Sequence, residues 1–123
     1  MLTMLRSLLA GPYPSASADE AARLLASGAI LLDVRERSEW EAGYARGAVH
    51  VPLGEIHARG RRALDAKGIS PSPGDTLLLI CQSGMRSGLA CQVLGVDAAF
   101  KTINVKGGML AWQRAGLPME RGS

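Results

Sequence analysis

The sequence predicts an α/β domain built on an open, mainly parallel sheet of about five strands, with helices on both faces. Short apolar runs without a helical period alternate with helical patterns along the chain, as expected for buried parallel strands joined by helices. The length of 123 residues suits one domain with one core. Apolar residues make up 47% of the chain and charged residues 20%, as in ordinary globular domains.

Two capping-box patterns, each a serine followed three residues later by a glutamate, mark helix starts in the first half of the chain. Ser17 with Glu20 predicts a helix over 17–27. Ser38 with Glu41 predicts a short helical turn. Both patterns precede a glycine that can end the helix.

The strands of the first half are predicted from apolar runs. The run at 29–34 has no helical period and predicts a buried strand, and 48–51 predicts a second strand that ends before a proline. The segment 56–67 has a helical pattern, and we predict one helix that continues through Gly60.

The second half repeats the alternation of strand and helix. The apolar run at 76–80 follows a segment dense in turn-forming residues and predicts a buried strand. A helix over 86–94, a strand over 101–105 and a last helix that contains Leu110 and ends at Gly116 complete the domain.

The chain divides into three parts. Residues 17–119 form the predicted domain, and residues 120–123 are a short tail. Residues 1–16 form an N-terminal extension, for which a short helix packed on the domain or on a neighbouring molecule and a frayed terminus are both open. Its apolar runs are too short to span a bilayer, so we expect no membrane span.

The charge pattern argues against nucleic acid as a partner. The net charge is +3, but the basic residues are scattered and only Arg59, Arg61 and Arg62 come close to a cluster. Aromatic residues, which stack on bases, make up 4% of the chain. A mildly positive protein is better suited to small anionic substrates or an acidic partner protein.

The chain has two cysteines, Cys81 and Cys91, and neither belongs to a metal-binding spacing such as CxxC. We therefore expect no metal, no organic cofactor and two free thiols. A reducing compartment, the cytoplasm, is the expected location because no signal peptide pattern is present. Cys91 lies inside the helix that follows Cys81, and we expect it to be a packed residue rather than a disulfide partner.

Cys81 stands at the carboxyl end of the strand at 76–80, where α/β sheets bind their ligands. The N–H groups and dipole of a following helix favour a thiolate there, and Arg86 adds a positive charge. Such surroundings lower a thiol pKa from about 8.5 toward ~3.5–7.5. Gly84 allows the loop N–H groups to point inward, and Ser83 and Ser87 can add hydroxyl donors. The segment therefore predicts a nucleophilic Cys81.

Three segments of the sequence resemble conserved blocks of the rhodanese family, and they occur in the family's order. The segment LLDVRERSEWEAGYARGAVHVPL resembles the first block, CQSGMRS resembles the active-site loop, and VKGGMLAWQRAGLP resembles the closing block. The resemblance covers residues 17–119. Tyr44 stands where the family usually has histidine, which weakens any role for that position.

The resemblance implies a rhodanese-like fold and a sulfurtransferase that works through a Cys81 persulfide. Sulfane sulfur would pass from a small anionic donor such as thiosulfate, or from a persulfide, to cyanide or a thiol. Arg86 would bind the anionic donor. The residues that would form the anion-binding loop are Gln82, Ser83, Gly84, Met85, Arg86 and Ser87. The loop from Cys81 to Arg86 has the six-residue length of the sulfurtransferases, whereas related phosphatases and arsenate reductases use a loop one residue longer.

Other functions stay open beside the thiosulfate sulfurtransferase. The chain can be a sulfur-relay carrier that exchanges persulfide with a partner protein, or a binding module with little turnover. A phosphatase or arsenate reductase activity is disfavoured by the loop length. Asp33 and Arg35 match an Asp-x-Arg pattern of the family, and we expect them to support the loops rather than take part in the chemistry.

Overall fold

The computed structural model describes residues 13–96 and 100–122 of the chain. The expectations for the extension at residues 1–12 lie outside the described residues. The strands are β1 (Ser15–Ala16), β2 (Ile30–Asp33), β3 (Tyr44–Ala45), β4 (Ala48–His50), β5 (Thr76–Ile80), β6 (Lys101–Val105) and β7 (Met119–Glu120). The helices are α1 (Ala18–Ala26), α2 (Arg37–Ala42), α3 (Leu53–Arg59), α4 (Arg62–Asp65), α5 (Met85–Leu94) and α6 (Gly108–Arg114).

Five strands form one parallel sheet in the spatial order β1-β6-β5-β2-β4. The other two, β3 and β7, form a small antiparallel pair. The predicted α/β fold with a parallel sheet of about five strands and helices on both faces is confirmed. No helix in the described part of the chain is long and apolar enough to span a membrane.

Each face of the sheet is covered by helices, which explains why β5 is apolar throughout. Leu77 and Leu79 belong to one core, together with residues of α3, α4 and α5. Leu78 and Ile80 belong to the core on the opposite face, with α1 and α6. Because both faces of a central parallel strand are buried, its sequence shows no alternation of apolar and polar residues.

The first predicted helix forms almost as expected. Ser17 caps α1: its side chain accepts a hydrogen bond from the Glu20 N–H, and its own N–H donates to the Glu20 side chain, both at 3.1 Å. The predicted strands at 29–34, 48–51, 76–80 and 101–105 all appear, with ends shifted by at most two residues.

Two helix predictions are wrong in detail. The capping contact of α2 is made by Glu36 and Glu39, not by Ser38 and Glu41: the Glu36 N–H donates to Glu39 Oε1 at 3.0 Å. The helix predicted over 56–67 is two helices, because Gly60 takes a left-handed backbone with φ of 58° that ends α3.

The sequence analysis did not predict the three two-residue strands. β1 pairs with β6 and adds two residues of the presumed extension to the main sheet. β7 pairs with β3 and brings Glu120, assigned to the tail, opposite Tyr44. A strand of two residues is too short to show a periodic pattern in the sequence. Its formation also depends on a partner strand that is distant in the chain.

The parallel strands end on the same edge of the sheet, and that edge positions the site. β2 ends at Asp33, β5 at Ile80 and β6 at Val105, and each is followed by a loop and a helix. The residue after β5 is Cys81.

We predict that Leu78→Ala lowers the free energy of unfolding by about 2–5 kcal/mol, because it leaves a cavity in a fully buried position of the central strand. Urea unfolding followed by circular dichroism measures this change. Leu89→Ala is the matched control, since Leu89 is 45% exposed, and its effect should stay within about 0.5 kcal/mol. Equal losses in the two variants would contradict the assigned core.

Candidate active site

Cys81 lies at the base of the loop between β5 and α5 and is fully buried, with 0% of its surface exposed. The loop turns sharply at Gly84, whose φ of 103° is in the left-handed region that favours glycine. Gly84 is also the N-terminal cap of α5. The thiol therefore sits beside the N-terminus of a ten-residue helix, where the backbone N–H groups have no partner within the helix.

Hydrogen-bond donors of the loop surround the sulfur. The Gly84 N–H donates to Cys81 Sγ at 3.1 Å, and the Ser87 hydroxyl lies 3.3 Å from the same atom. Burial by itself raises the pKa of the Cys81 thiol. The hydrogen bonds from the Ser87 side chain and from the N–H groups of Ser87, Gly84 and Ser83 outweigh burial, so the pKa is lowered below its ordinary value. The loop therefore stabilises a buried thiolate.

Asn104 of β6 braces this loop, and the sequence analysis missed it. Its Nδ2 donates to the Gly84 carbonyl at 3.1 Å, and its Oδ1 lies 2.5 Å from the Ser87 hydroxyl oxygen. Because Ser87 has one hydroxyl proton, it donates either to Asn104 or to the Cys81 sulfur. The only signal in the sequence is an asparagine between Ile103 and Val105 in β6, at a position that is buried and where an amide needs a partner.

The start of α6 forms a wall of the loop. The Met109 N–H donates to the Cys81 carbonyl at 2.8 Å, and the Leu110 N–H donates to the Gln82 carbonyl at 3.2 Å. Gly108 lies immediately before these donors and permits this close approach, because a Cβ there would clash with the backbone of Cys81 and Gln82. The carbonyl groups of Cys81 and Gln82 are thereby fixed by hydrogen bonds.

Arg86 forms a bidentate ion pair with Glu39 of α2. Its Nη1 donates to Glu39 Oε1 at 2.7 Å, and its Nη2 donates to Oε2 at 2.9 Å. The hydrogen bond from Arg86 lowers the pKa of Glu39 to about 2, and the same contact raises the pKa of Arg86. The sequence analysis did not identify Glu39, because a residue 47 positions away is brought to Arg86 only by the packing of α2 beside the loop.

Asp33 and Arg35 form a buried ion pair at the end of β2. Arg35 Nη2 lies 2.8 Å from Asp33 Oδ2 and also donates to the Gly43 carbonyl at 2.7 Å. Arg35 Nη1 reaches Gln82 Oε1 at 3.4 Å, which is the link between this pair and the loop. Neither side chain hydrogen-bonds to the Cys81 sulfur, so their contacts are those of a support.

Several candidate residues lie apart from the sulfur. Met85 projects outward and is 76% exposed, and Ser83 is exposed although its N–H faces the sulfur. Cys91 is a buried free thiol whose pKa burial raises to about 12, so it stays protonated at neutral pH. Among the described residues, no group of three or more histidine, cysteine or acidic side chains is placed to hold a metal ion.

Trp40 of α2 stacks on Tyr44 of β3 and His50 of β4 instead of entering the core. The Trp40 ring lies 3.7 Å from the Tyr44 ring and 5.0 Å from the His50 ring, measured between centroids. Trp40 is therefore only partly buried and lies outside the two cores, whereas Trp112 is buried. His50 Nε2 hydrogen-bonds to the Arg35 carbonyl at 2.7 Å, so its ring also supports the Asp33–Arg35 pair.

Known proteins share both the fold and the sequence pattern. YtwF of Bacillus subtilis, provisionally named a sulfurtransferase, is 40% identical over 83 residues, which span 68% of this chain and 72% of YtwF. YrkF of the same organism, provisionally named a sulfur carrier protein, is 37% identical over 82 residues, or 67% of this chain. That match spans 40% of YrkF, so the chain corresponds to less than half of this relative.

A solved structure extends the comparison to the fold. The thiosulfate sulfurtransferase from Pseudomonas aeruginosa superposes with a TM-score of 0.75 and 25% identity, covering 90% of this chain and 21% of that one. The family model described as the rhodanese-like domain matches residues 17–115. With the parallel sheet and the cysteine loop after its central strand, this match establishes that the chain belongs to the rhodanese-like domain family.

Proposed function

We propose that the protein is a sulfurtransferase that moves sulfane sulfur through a persulfide on Cys81. The observation that carries the proposal is a buried sulfur held by the Gly84 N–H and the Ser87 hydroxyl, with a lowered pKa. The thiolate is the nucleophilic form of cysteine, and hydrogen-bond donors that lower the pKa of Cys81 favour this form without a general base. The names of its relatives as sulfurtransferases and a sulfur carrier support the same chemistry.

The proposed reaction is a double displacement. The Cys81 thiolate attacks the outer sulfur of thiosulfate, a bond forms between the two sulfur atoms, and the old sulfur–sulfur bond breaks with its electron pair leaving as sulfite. Cyanide or a thiolate then attacks the outer sulfur of the persulfide and leaves as thiocyanate or a new persulfide. Charge balances in both steps, and the Cys81 thiolate is restored without an oxidant or reductant.

The loop is proposed to serve both negatively charged states of the cycle. The N–H groups that stabilise the thiolate can also stabilise the persulfide anion, because both put negative charge on sulfur in the same cradle. Gln82, Ser83 and Gly84 lie in the loop itself, and the other predicted anion-binding residues, Met85, Arg86 and Ser87, lie in the first turn of α5. Asp33 and Arg35 are assigned to support, since the hydrogen bond from Arg35 to the loop goes to the Gln82 side chain and not to the sulfur.

A reducing compartment, the cytoplasm, is the location that we propose. Cys81 and Cys91 are both free thiols. An oxidised Cys81 could not start the cycle.

Exposed apolar side chains around the loop favour a second candidate, a sulfur-relay carrier. Met85 at the start of α5 is 76% exposed, Leu89 one helical turn later is 45% exposed, and Leu110 beside Gln82 is 47% exposed. Only one other large apolar side chain among the described residues, Val96, is classed as exposed. Apolar groups gathered around a reactive sulfur suit a protein partner better than thiosulfate or cyanide.

The first prediction concerns the persulfide. Incubation with thiosulfate should add one sulfur, about 32 Da, to the intact mass of the wild-type protein, and cyanide should remove it. Cys91→Ser should gain the same mass, because Cys91 is buried and protonated. Cys81→Ser should gain nothing. A wild-type protein that gains no sulfur from thiosulfate or from a low-molecular-weight persulfide would refute the proposal.

The Ser87 hydroxyl provides a test of the thiolate. Ser87→Ala removes the largest of the effects that lower the pKa of Cys81, so the pKa should rise and alkylation by iodoacetamide at pH 7 should slow. All variants carry Cys91→Ala, so that only Cys81 is alkylated. In this background Ser87→Ala should shift the pH profile of the alkylation rate to higher pH. Ser83→Ala, which keeps the N–H of residue 83, should leave the profile unchanged. An unchanged profile in Ser87→Ala would show that the hydroxyl does not stabilise the thiolate.

Loading and turnover distinguish the enzyme from the relay carrier. In a carrier, Cys81 should accept one sulfur per chain. Transfer of that sulfur to cyanide, which forms thiocyanate, should be more than about tenfold slower than loading. The reason is that cyanide makes no favourable contact with the apolar side chains around the loop. Rapid-quench mass spectrometry measures loading, and thiocyanate absorbance with iron measures turnover. Turnover as fast as loading would favour the thiosulfate enzyme.

A further inference from the structure

Arg86, which is expected to bind the anionic donor, already forms an ion pair with Glu39. Both terminal nitrogens of Arg86 donate to the two carboxylate oxygens of Glu39, at 2.7 and 2.9 Å. The ion pair is only partly shielded, since the side chains of Arg86 and Glu39 are 35% and 30% exposed. A donor that approaches Arg86 therefore meets the negative charge of Glu39 at the same time.

The charges around the sulfur sum to a negative value when Cys81 is a thiolate. Arg86 is balanced by Glu39, and Arg35 is balanced by Asp33. Glu39 stays ionised throughout the neutral range because Arg86 holds its pKa at about 2. The thiolate charge is then left over, and Glu36 adds a further negative charge within electrostatic reach of Arg86.

Repulsion in such a site grows with the charge of the donor, because the Coulomb energy is proportional to the product of the charges. Thiosulfate carries two negative charges. A persulfide anion carries one on its reacting group. The surroundings of Cys81 therefore penalise thiosulfate about twice as strongly, in free energy, as a monoanionic donor.

We infer that Glu39 is a specificity-determining residue: by neutralising Arg86 it disfavours dianionic sulfur donors and selects persulfides and other donors of lower charge. This inference rests on the proposed sulfurtransferase function and specifies its donor. Glu39 acts through charge on the donor and through Arg86, and it makes no hydrogen bond to the Cys81 sulfur.

Glutamine is a conservative replacement at this position. Glu39 also accepts the Glu36 N–H at 3.0 Å and so caps the start of α2. A glutamine keeps an oxygen in the place of Oε1, which accepts from both the Glu36 N–H and Arg86 Nη1, and loses only the acceptor for Arg86 Nη2. Glutamine is also the standard alternative in a capping box. Glu39→Gln thus removes the negative charge while retaining the local structure.

The test compares two stable donors that differ in charge, thiosulfate with two negative charges and benzenethiosulfonate with one. In each, the Cys81 thiolate attacks the outer sulfur, and the bond to the sulfonyl sulfur breaks with its electron pair leaving as sulfite or benzenesulfinate. Cyanide is the acceptor for both. The benzene ring can add apolar contacts that thiosulfate lacks, so the kcat/KM values of the two donors are not compared directly. Instead, the kcat/KM of each variant is divided by that of the wild type for the same donor.

Glu39→Gln should raise kcat/KM for thiosulfate about tenfold and for benzenethiosulfonate only about threefold, as expected when the same charge repels a dianion and a monoanion. Raising the salt concentration should bring the kcat/KM values for the two donors closer together, and this effect should be larger in the wild type than in Glu39→Gln. Glu39→Asp, which keeps the charge, should keep the wild-type ratio of the two donors.

Glu41→Gln is the matched control on the same helix. Glu41 is exposed and pairs with Arg37 at 3.3 Å, so the variant removes one negative charge without a contact to Arg86. Both rate constants should stay within about twofold of the wild type, because an exposed charge is screened by water and salt.

Two results would overturn the inference alone: equal changes for the two donors in Glu39→Gln, or a fall in kcat/KM for thiosulfate. The first would mean that Glu39 alters the reactivity of the thiol, and the second that it positions Arg86 for the donor. A wild-type protein that accepts sulfur from neither donor, nor from a low-molecular-weight persulfide, would instead refute the proposed function, and the inference with it.

Discussion

Hydrogen bonding to the buried sulfur of Cys81 is the interaction on which the rest of the site depends. A fully buried thiolate is unfavourable unless donors replace the lost water. Here the Gly84 N–H and the Ser87 hydroxyl supply that replacement. The donors keep their positions because Asn104 holds the loop from β6, and Met109 holds the Cys81 backbone from α6.

The charged residues form a second layer around this cradle. The Asp33–Arg35 pair is buried and reaches the loop through Gln82, whereas the Glu39–Arg86 pair is partly exposed beside it. A buried ion pair contributes little net stability, but loss of one partner leaves an uncompensated charge, so such a pair fixes geometry. The partly exposed Glu39–Arg86 pair is the one to which we assign selection of the donor, whereas we assign support of the loop to the Asp33–Arg35 pair.

The parallel sheet explains why these groups meet. β2, β5 and β6 end on one edge of the sheet, and the residues after them face the same loop cluster. Burial of β5 on both faces fixes the strand whose end carries Cys81. The membership in the rhodanese-like domain family follows from this arrangement together with residues 17–115, which match the family model.

The sequence by itself determined the alternation of strands and helices and the place of Cys81 after a buried strand. These features depend on local patterns: apolar runs, capping pairs such as Ser17 with Glu20, and glycine at a turn. Tertiary structure alone decided the partners of Arg86 and Ser87. Glu39 and Asn104 lie 47 and 17 residues from those partners, and packing of separate elements, not local spacing, brings them together.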